Sequence, residues 1–280
     1  MAGHIRRSIT PRTFERWRAE GRGAGEGRNY LPWFTVQDVS STGHVSRILG
    51  WKTHRQHHLL SSLETSLFYV LEWAPAVIDI REQFPLPLNT TLQIAAQLGM
   101  AHPRIPRSKD SWVMTTDIVV TLVENGRQKL MARAIKPSSE LARPRVVEKL
   151  ELERAFWVSQ GIDWGLVTEK EIDPMLVENI KYVHPWRRAE DVAVPAHRFD
   201  SAESLLLDFL SQPISLTEAA SAVDDRLGFR PGESLQLVRH FIANRRWQVD
   251  MCKRIDPSQR LIFKKQPHPM TYECSRQHAA

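Results

Sequence analysis

The dipeptide Asn125-Gly126, set between two apolar-rich runs, constrains this chain more than any other feature. A two-residue type I′ turn needs positive φ at both central positions, and Asn and Gly supply it at low cost. The runs at 113–123 and 129–136 are therefore expected to form an antiparallel hairpin. With Glu124 facing Arg127, counting outward along the two strands places Asp117 opposite Ala134. Side chains two apart share a face, so Lys136 falls diagonally beside Asp117. An acid in the middle of an apolar strand, with a lysine diagonal to it, is poorly explained by core packing. Two explanations stay open: a cross-strand ion pair, or part of a reactive site. Pro137 cannot donate to the ladder and ends the second strand.

The neighbouring segments build the hairpin into a sheet. Leu60, Leu63, Leu67 and Val70/Leu71 recur at helical spacing, which predicts a helix over 59–73 with Ser61 capping its first turn. Residues 77–84 (VIDIREQF) read as a strand, 145–160 as a long helix with Gly161 at its C-cap, and 163–168 as a buried strand. That order describes an α/β domain with a mixed sheet flanked by helices. Upstream, the glycines of 21–27 (GRGAGEG) follow no predicted strand. They read as a loop or linker rather than a dinucleotide fingerprint, and 1–28 as a flexible N-terminal segment.

Beyond about residue 172 the texture changes. Three short helices are expected at 203–210, 216–227 and 232–246; the second opens on the capping-box pattern Ser215-x-x-Glu218 and the third follows Pro231. Strand-like stretches at 247–251 and 261–265 follow. Three helices and then a basic hairpin is the order of a winged helix, an α+β module, so the expected domains are 1–172 and 173–280. The formal net charge of +6 is concentrated there. Residues 226–265 hold ten Lys or Arg against three acids, a net of +7, and the rest of the chain nets −1. Arg239, Arg245, Arg246, Lys264 and Lys265 are expected to meet DNA phosphates, with a protein-binding helical domain as the alternative.

Other features narrow the class. A hydrophobic fraction of 42% is enough to build a core without metals or disulfides. Cys252 and Cys274 form no ligand motif and suit a reducing compartment. The start lacks an apolar signal and no stretch approaches a membrane span, so a cytoplasmic protein is expected. His54, His57 and His58 have no matching Cys or His cluster, which argues against zinc and for a surface or DNA-facing role. Trp33, Trp51, Trp73, Trp157 and Trp164 are expected in the core or at interfaces. Glu64 completes a capping box with Ser61, so its carboxylate has an ordinary local explanation.

The phrases HHLLSSLE (57–64), LEWAPAVIDIREQFPL (71–86), MTTD (114–117), AIKP (134–137) and EKLELER (148–154) closely resemble the TnsA endonuclease subunits of heteromeric cut-and-paste transposons. The likeness covers most of 21–181, with the motifs in the same order and at similar spacing. It implies a restriction-endonuclease-like catalytic domain followed by a winged-helix-like domain. The family's active-site acids fall on Glu64 and Asp117 and its lysine on Lys136, with the Ile135 carbonyl as a further metal ligand and Glu153 as an acid near the site. The family usually carries Gln two residues before the lysine; here Ala134 stands there, which puts the number or affinity of bound metals in doubt. The expected cofactor is Mg²⁺, with Mn²⁺ able to substitute. By resemblance, the expected reaction is cleavage of the 5′, non-transferred strand at transposon ends in double-stranded DNA. The expected partners are a TnsB-like transposase of RNase-H fold, which cuts the other strand, and a TnsC-like ATPase regulator. A catalytically impaired assembly subunit, and a stand-alone nuclease, are the competing readings.

Overall fold

The computed structural model describes residues 4–5, 9–40 and 44–265. The chain divides into two compact units, Met1–Asp173 and Pro174–Ala280.

In the first unit, β1 (His4–Ile5) pairs with β2 (Val39–Ser40), with α1 (Pro11–Ala19) between them in sequence. A hairpin of β3 (Ser46–Leu49) and β4 (Gln56–Leu59) leads into α2 (Ser62–Trp73). The central sheet then follows: β5 (Val77–Pro85), α3 (Leu88–Gln97), β6 (Thr115–Glu124), β7 (Arg127–Ile135), α4 (Pro144–Ser159) and β8 (Asp163–Val167). Its order is β5-β6-β7-β8, antiparallel except that β8 runs parallel to β7, which makes the sheet mixed as expected.

The turn at Asn125 (φ 52°) and Gly126 (φ 73°) has the left-handed pair that type I′ requires. The register runs unbroken from Glu124↔Arg127 to Ile118↔Arg133, and its continuation sets Asp117 opposite Ala134. Val119 and Ala132 on that face pack with Leu86, Ile94, Leu152, Phe156 and Trp157 in the core beneath α3 and α4. Ile118 and Val120 are equally buried, so β6 is covered on both faces and reads in sequence as a continuous apolar run interrupted by one acid.

The segment expected to be a flexible leader is, from residue 9 on, part of a second core. Phe14 and Trp17, one helical turn apart on α1, pack with Ile9, Trp33, Phe34, Ile105 and Val113. Pro11 starts the helix where its missing N–H costs nothing. The glycine loop behind it is tightly placed: Gly23 has φ +77°, and a Cβ there would lie 2.1 Å from Pro85 Cγ. Glycine here serves close approach, a role that composition does not separate from a linker. Strands β1 to β4, α3 and a helix at Pro174–Val183 were likewise not anticipated. Leu59 belongs to β4, because Ser61 starts the helix three residues later than periodicity placed it. His57, expected at the surface, is fully buried, with its imidazole between Thr53 Oγ1 (2.7 Å) and Glu82 Oε2 (2.9 Å).

In the second unit, α5 (Pro174–Val183), α6 (Phe199–Leu210), α7 (Leu216–Leu227) and α8 (Glu233–Ala243) precede an antiparallel pair, β9 (Trp247–Val249) and β10 (Phe263–Lys265). Ser215 and Glu218 form the predicted capping box, and Gly228 closes α7 at φ +64°. Buried Asp224 accepts from the Gly232 and Ser234 amides at 2.7 and 2.8 Å, fixing the α7–α8 turn. Cys252 is exposed and lies in no disulfide; Cys274 lies outside the described residues.

Candidate active site

Asp117 and Lys136 meet as the hairpin geometry requires. Asp117 Oδ2 accepts from the Ile135 amide and from Lys136 Nζ, both at 2.7 Å, and Nζ also donates to the Ile135 carbonyl at 2.7 Å. The Lys136 amide is tied to Val167 O at 3.1 Å, so β8 fixes where the lysine leaves the sheet. Lys136 keeps 33% side-chain exposure and Asp117 15%, so the pair lies open to a ligand on one side. Burial works against the ammonium. The charge and hydrogen bond of Asp117, then Glu153 and Glu64, outweigh it and hold Lys136 above its usual range.

Glu64 stands in the first turn of α2. Its carboxylate turns back onto its own N-terminus, accepting from the Leu60 amide (3.0 Å) and the Ser61 hydroxyl (2.9 Å), while Ser61 Oγ accepts from the Glu64 amide (3.1 Å). Ser61 caps the helix as expected, but the reciprocal bond of a capping box is displaced by one residue, to the Leu60 amide, and the cap is not the whole environment. Burial and then the charge of Asp117 push the Glu64 carboxyl up to about 7, against the pull of Leu60, Ser61 and Lys136. Glu153 reaches the same cluster from α4, accepting from Trp164 Nε1 at 3.2 Å. Burial and then Asp117 push it, too, up to about 7. Three acids therefore share one lysine, and since a single ammonium cannot balance three carboxylates, two of them hold their protons more tightly.

One residue here was not singled out from the sequence. Lys149 lies four residues before Glu153 and hence on the same face of α4; partial burial and then the charges of Arg145 and Lys136 hold its ammonium down. Its signal was the i, i+4 spacing within EKLELER, read for its acids alone.

The predicted DNA-contacting residues divide. Arg246 is an internal partner: Nε donates to Glu203 Oε1 (2.9 Å) and Nη2 to Asp200 Oδ1 (2.7 Å). Lys265 Nζ also pairs with Glu203, at 3.0 Å, and Trp247 Nε1 donates to it at 2.7 Å. The Arg239 guanidinium stacks over Tyr182 and Trp186, 4.1 and 5.8 Å from the ring centroids. Arg245 and Lys264 are exposed. Part of the basic run thus serves the fold, because a buried carboxylate such as Glu203 needs cationic partners.

Residues 74–169 match the TnsA-like endonuclease N-terminal family, and residues 171–251 match the TnsA endonuclease C-terminal family. The transposon Tn7 transposition protein TnsA of Escherichia coli is 40% identical over 225 residues, covering 80% of this chain and 81% of that protein. A mixed α/β unit followed by a helical unit, matched in that order, defines a two-part endonuclease of DNA transposition. The chain belongs to the TnsA family. Asp117, Lys136 and Glu153 fall inside the first matched segment and Glu64 before it; Arg239, Arg245 and Arg246 fall inside the second, and Lys264 and Lys265 after it.

Proposed function

We propose that this chain is a Mg²⁺-dependent DNA endonuclease that cuts the 5′, non-transferred strand at transposon ends. It would act beside a TnsB-like transposase that cuts the other strand, under a TnsC-like ATPase regulator. The observation that carries the chemistry is the Asp117–Lys136–Ile135 carbonyl cluster, with Glu64 and Glu153 held protonatable beside it. Among the described residues no three His, Cys, Asp or Glu side chains already converge as a ligand set. The fit to a metal therefore rests on donor chemistry. Asp117, Glu64 and the Ile135 carbonyl offer only hard oxygens, as Mg²⁺ prefers, and Mg²⁺ keeps several waters where protein ligands are few. A dication would favour the ionised form of the Glu64 and Glu153 carboxyls, which burial and Asp117 disfavour in its absence. A bound Mg²⁺ would supply Lewis-acid stabilisation of the phosphate and a more acidic water.

The chain's own groups do the rest. Lys136, held charged by Asp117, stabilises negative charge at the phosphate and orients the attacking water. Asp117 fixes the lysine and, through the Ile135 amide, the strand end that carries it. Lys149, on the same helix face as Glu153, offers a second cation to the phosphate backbone. In the second unit, three helices and a strand pair support a winged-helix reading, with Arg245 and Lys264 as DNA contacts. Among the described residues no helix is long and apolar enough to cross a membrane.

The test is strand cleavage on a labelled transposon end, with the partner transposase and regulator present and Mg²⁺ or Mn²⁺ varied. Asp117→Ala and Lys136→Ala should each abolish 5′-strand nicking while melting close to the parent protein. Undiminished nicking by both would remove these residues from the site. A parent protein inert in the complete assembly would instead support the scaffold alternative suggested by Ala134.

A further inference from the structure

On β5 the ladder pairs Glu82 with Ile118 and Phe84 with Thr116, so Gln83 is the residue facing Asp117 from the other side of β6. On β7 the position facing Asp117 is Ala134, which offers only a methyl group. Gln83 is 4% exposed and has φ +50°, a left-handed conformation rare for a non-glycine residue within a strand. That turn breaks the pleat. Phe84 packs with the α4 side of the sheet, its ring 5.7 Å from Trp157, and the Gln83 amide is left to face Glu64.

The backbone around Gln83 is clamped by the N-terminal segment. The Trp33 amide donates to Gln83 O at 3.2 Å, the Tyr30 hydroxyl donates to Glu82 O at 3.0 Å, and Gly23 lies against Pro85. The side chain is aimed as well: Thr115 Oγ1 donates to Gln83 Oε1 at 3.2 Å, which turns Nε2 toward Glu64 Oε2 at 3.4 Å. Among the described residues, the other hydrogen bonds to the Glu64 carboxylate come from its own helix start, at Leu60 and Ser61. Gln83 thus adds a donor from the sheet to a carboxylate that its own helix start also holds.

We infer that Gln83 is a positioning residue of the cleavage site. From its left-handed place beside Asp117, its amide holds the Glu64 carboxylate toward Asp117 and Lys136. The inference rests on the reading of Glu64 as a site acid. Strained backbone persists only where surrounding structure over-determines it, and it concentrates at active sites. Here the N-terminal clamp supplies the structure, and Glu64 is what the strain serves.

The comparison uses Gln83→Gly, which relieves the left-handed strain and removes the amide, and Gln83→Met, which keeps volume and strain but removes the amide. Melting temperature is followed against Mn²⁺ concentration for each full-length variant, and nicking is measured in the complete assembly. Both variants should need about tenfold to a hundredfold more Mn²⁺ for the same rise in melting temperature, with a matching loss of nicking. Parental Mn²⁺ dependence in both variants would overturn the inference, whether or not their melting temperatures had fallen, because Gln83 would then serve only the fold. Asp117→Asn run in parallel separates the two levels. If it nicks at the parental rate, the site assignment itself fails. If it is inert while both Gln83 variants behave as the parent, only the role of Gln83 fails.

Discussion

Burial raises the cost of a charge, and what faces that charge decides whether the group keeps it. Glu82 is wholly buried yet pushed far down, because His57 and Arg55 outweigh its desolvation. Glu153 is also buried, but its charged neighbour Asp117 adds to desolvation, and its carboxyl rises to about 7 from a usual 4.5. The sign of the pH dependence follows. Between about 4.5 and 7 the folded state retains a proton that the unfolded chain gives up, so rising pH favours unfolding, and the loss is complete above 7. Glu153→Gln removes that titration while keeping an acceptor for Trp164. Without divalent ions it should melt above the parent at pH 8 and alongside it near pH 4.5. Equal melting at both pH values would show that Glu153 is not held protonated. Glu82 has the opposite sign: its contribution is present above the unfolded carboxylate range and is lost in acid.

At the scale of elements, two glycines in left-handed conformations do different work. Gly126 turns the hairpin into open space, so Gly126→Ala meets only the strain of positive φ, on the order of 1 kcal/mol. At Gly23 a Cβ would collide with the Pro85 ring at 2.1 Å, so a substitution must also push apart the N-terminal loop and the end of β5. Gly23→Ala should therefore lower the melting temperature more than Gly126→Ala. It should also reduce nicking, since that strand end carries Gln83. Equal destabilisation by the two would mean that the loop yields freely. The hairpin was legible because its code is local: Asn-Gly between two apolar-rich runs states the register, and a following proline ends the second strand. The N-terminal element was not, because close approach of glycine to proline depends on a strand some sixty residues away.

Across the whole chain, the basic C-terminal region has two duties that net charge adds together. Glu203 is 2% exposed and holds Arg246, Lys265 and the Trp247 indole. Arg246→Ala should therefore act mainly on stability, costing about 1–3 kcal/mol for the hydrogen-bonded charge it strips from a buried carboxylate. Lys264→Ala should leave melting unchanged. It should weaken duplex DNA binding similarly across sequences and reduce the log–log salt slope by about 1, as measured by anisotropy titrations at several salt concentrations. A salt slope changed by Arg246→Ala but not by Lys264→Ala would reverse the division.

By itself the sequence determined the features that depend on neighbours along the chain. These are the Asn125-Gly126 turn and its register, the pairing of Asp117 with Lys136, the caps at Ser61 and Ser215, and the three helices before the basic strands. The mixed sheet followed from the order of those elements. Glu64 and Glu153 came by resemblance to a family, because nothing within a helix of their own points to a lysine on another strand. Only the tertiary structure decided that Glu64 is held at its helix start and feels the charge of Asp117 at once, that His57 is a buried partner of Glu82, and that Gln83 adopts a left-handed conformation within β5 and donates to Glu64. The physical reason is the same in each case. Burial, charge coupling and close approach are set by groups distant in sequence, and no period or motif records which of them will meet.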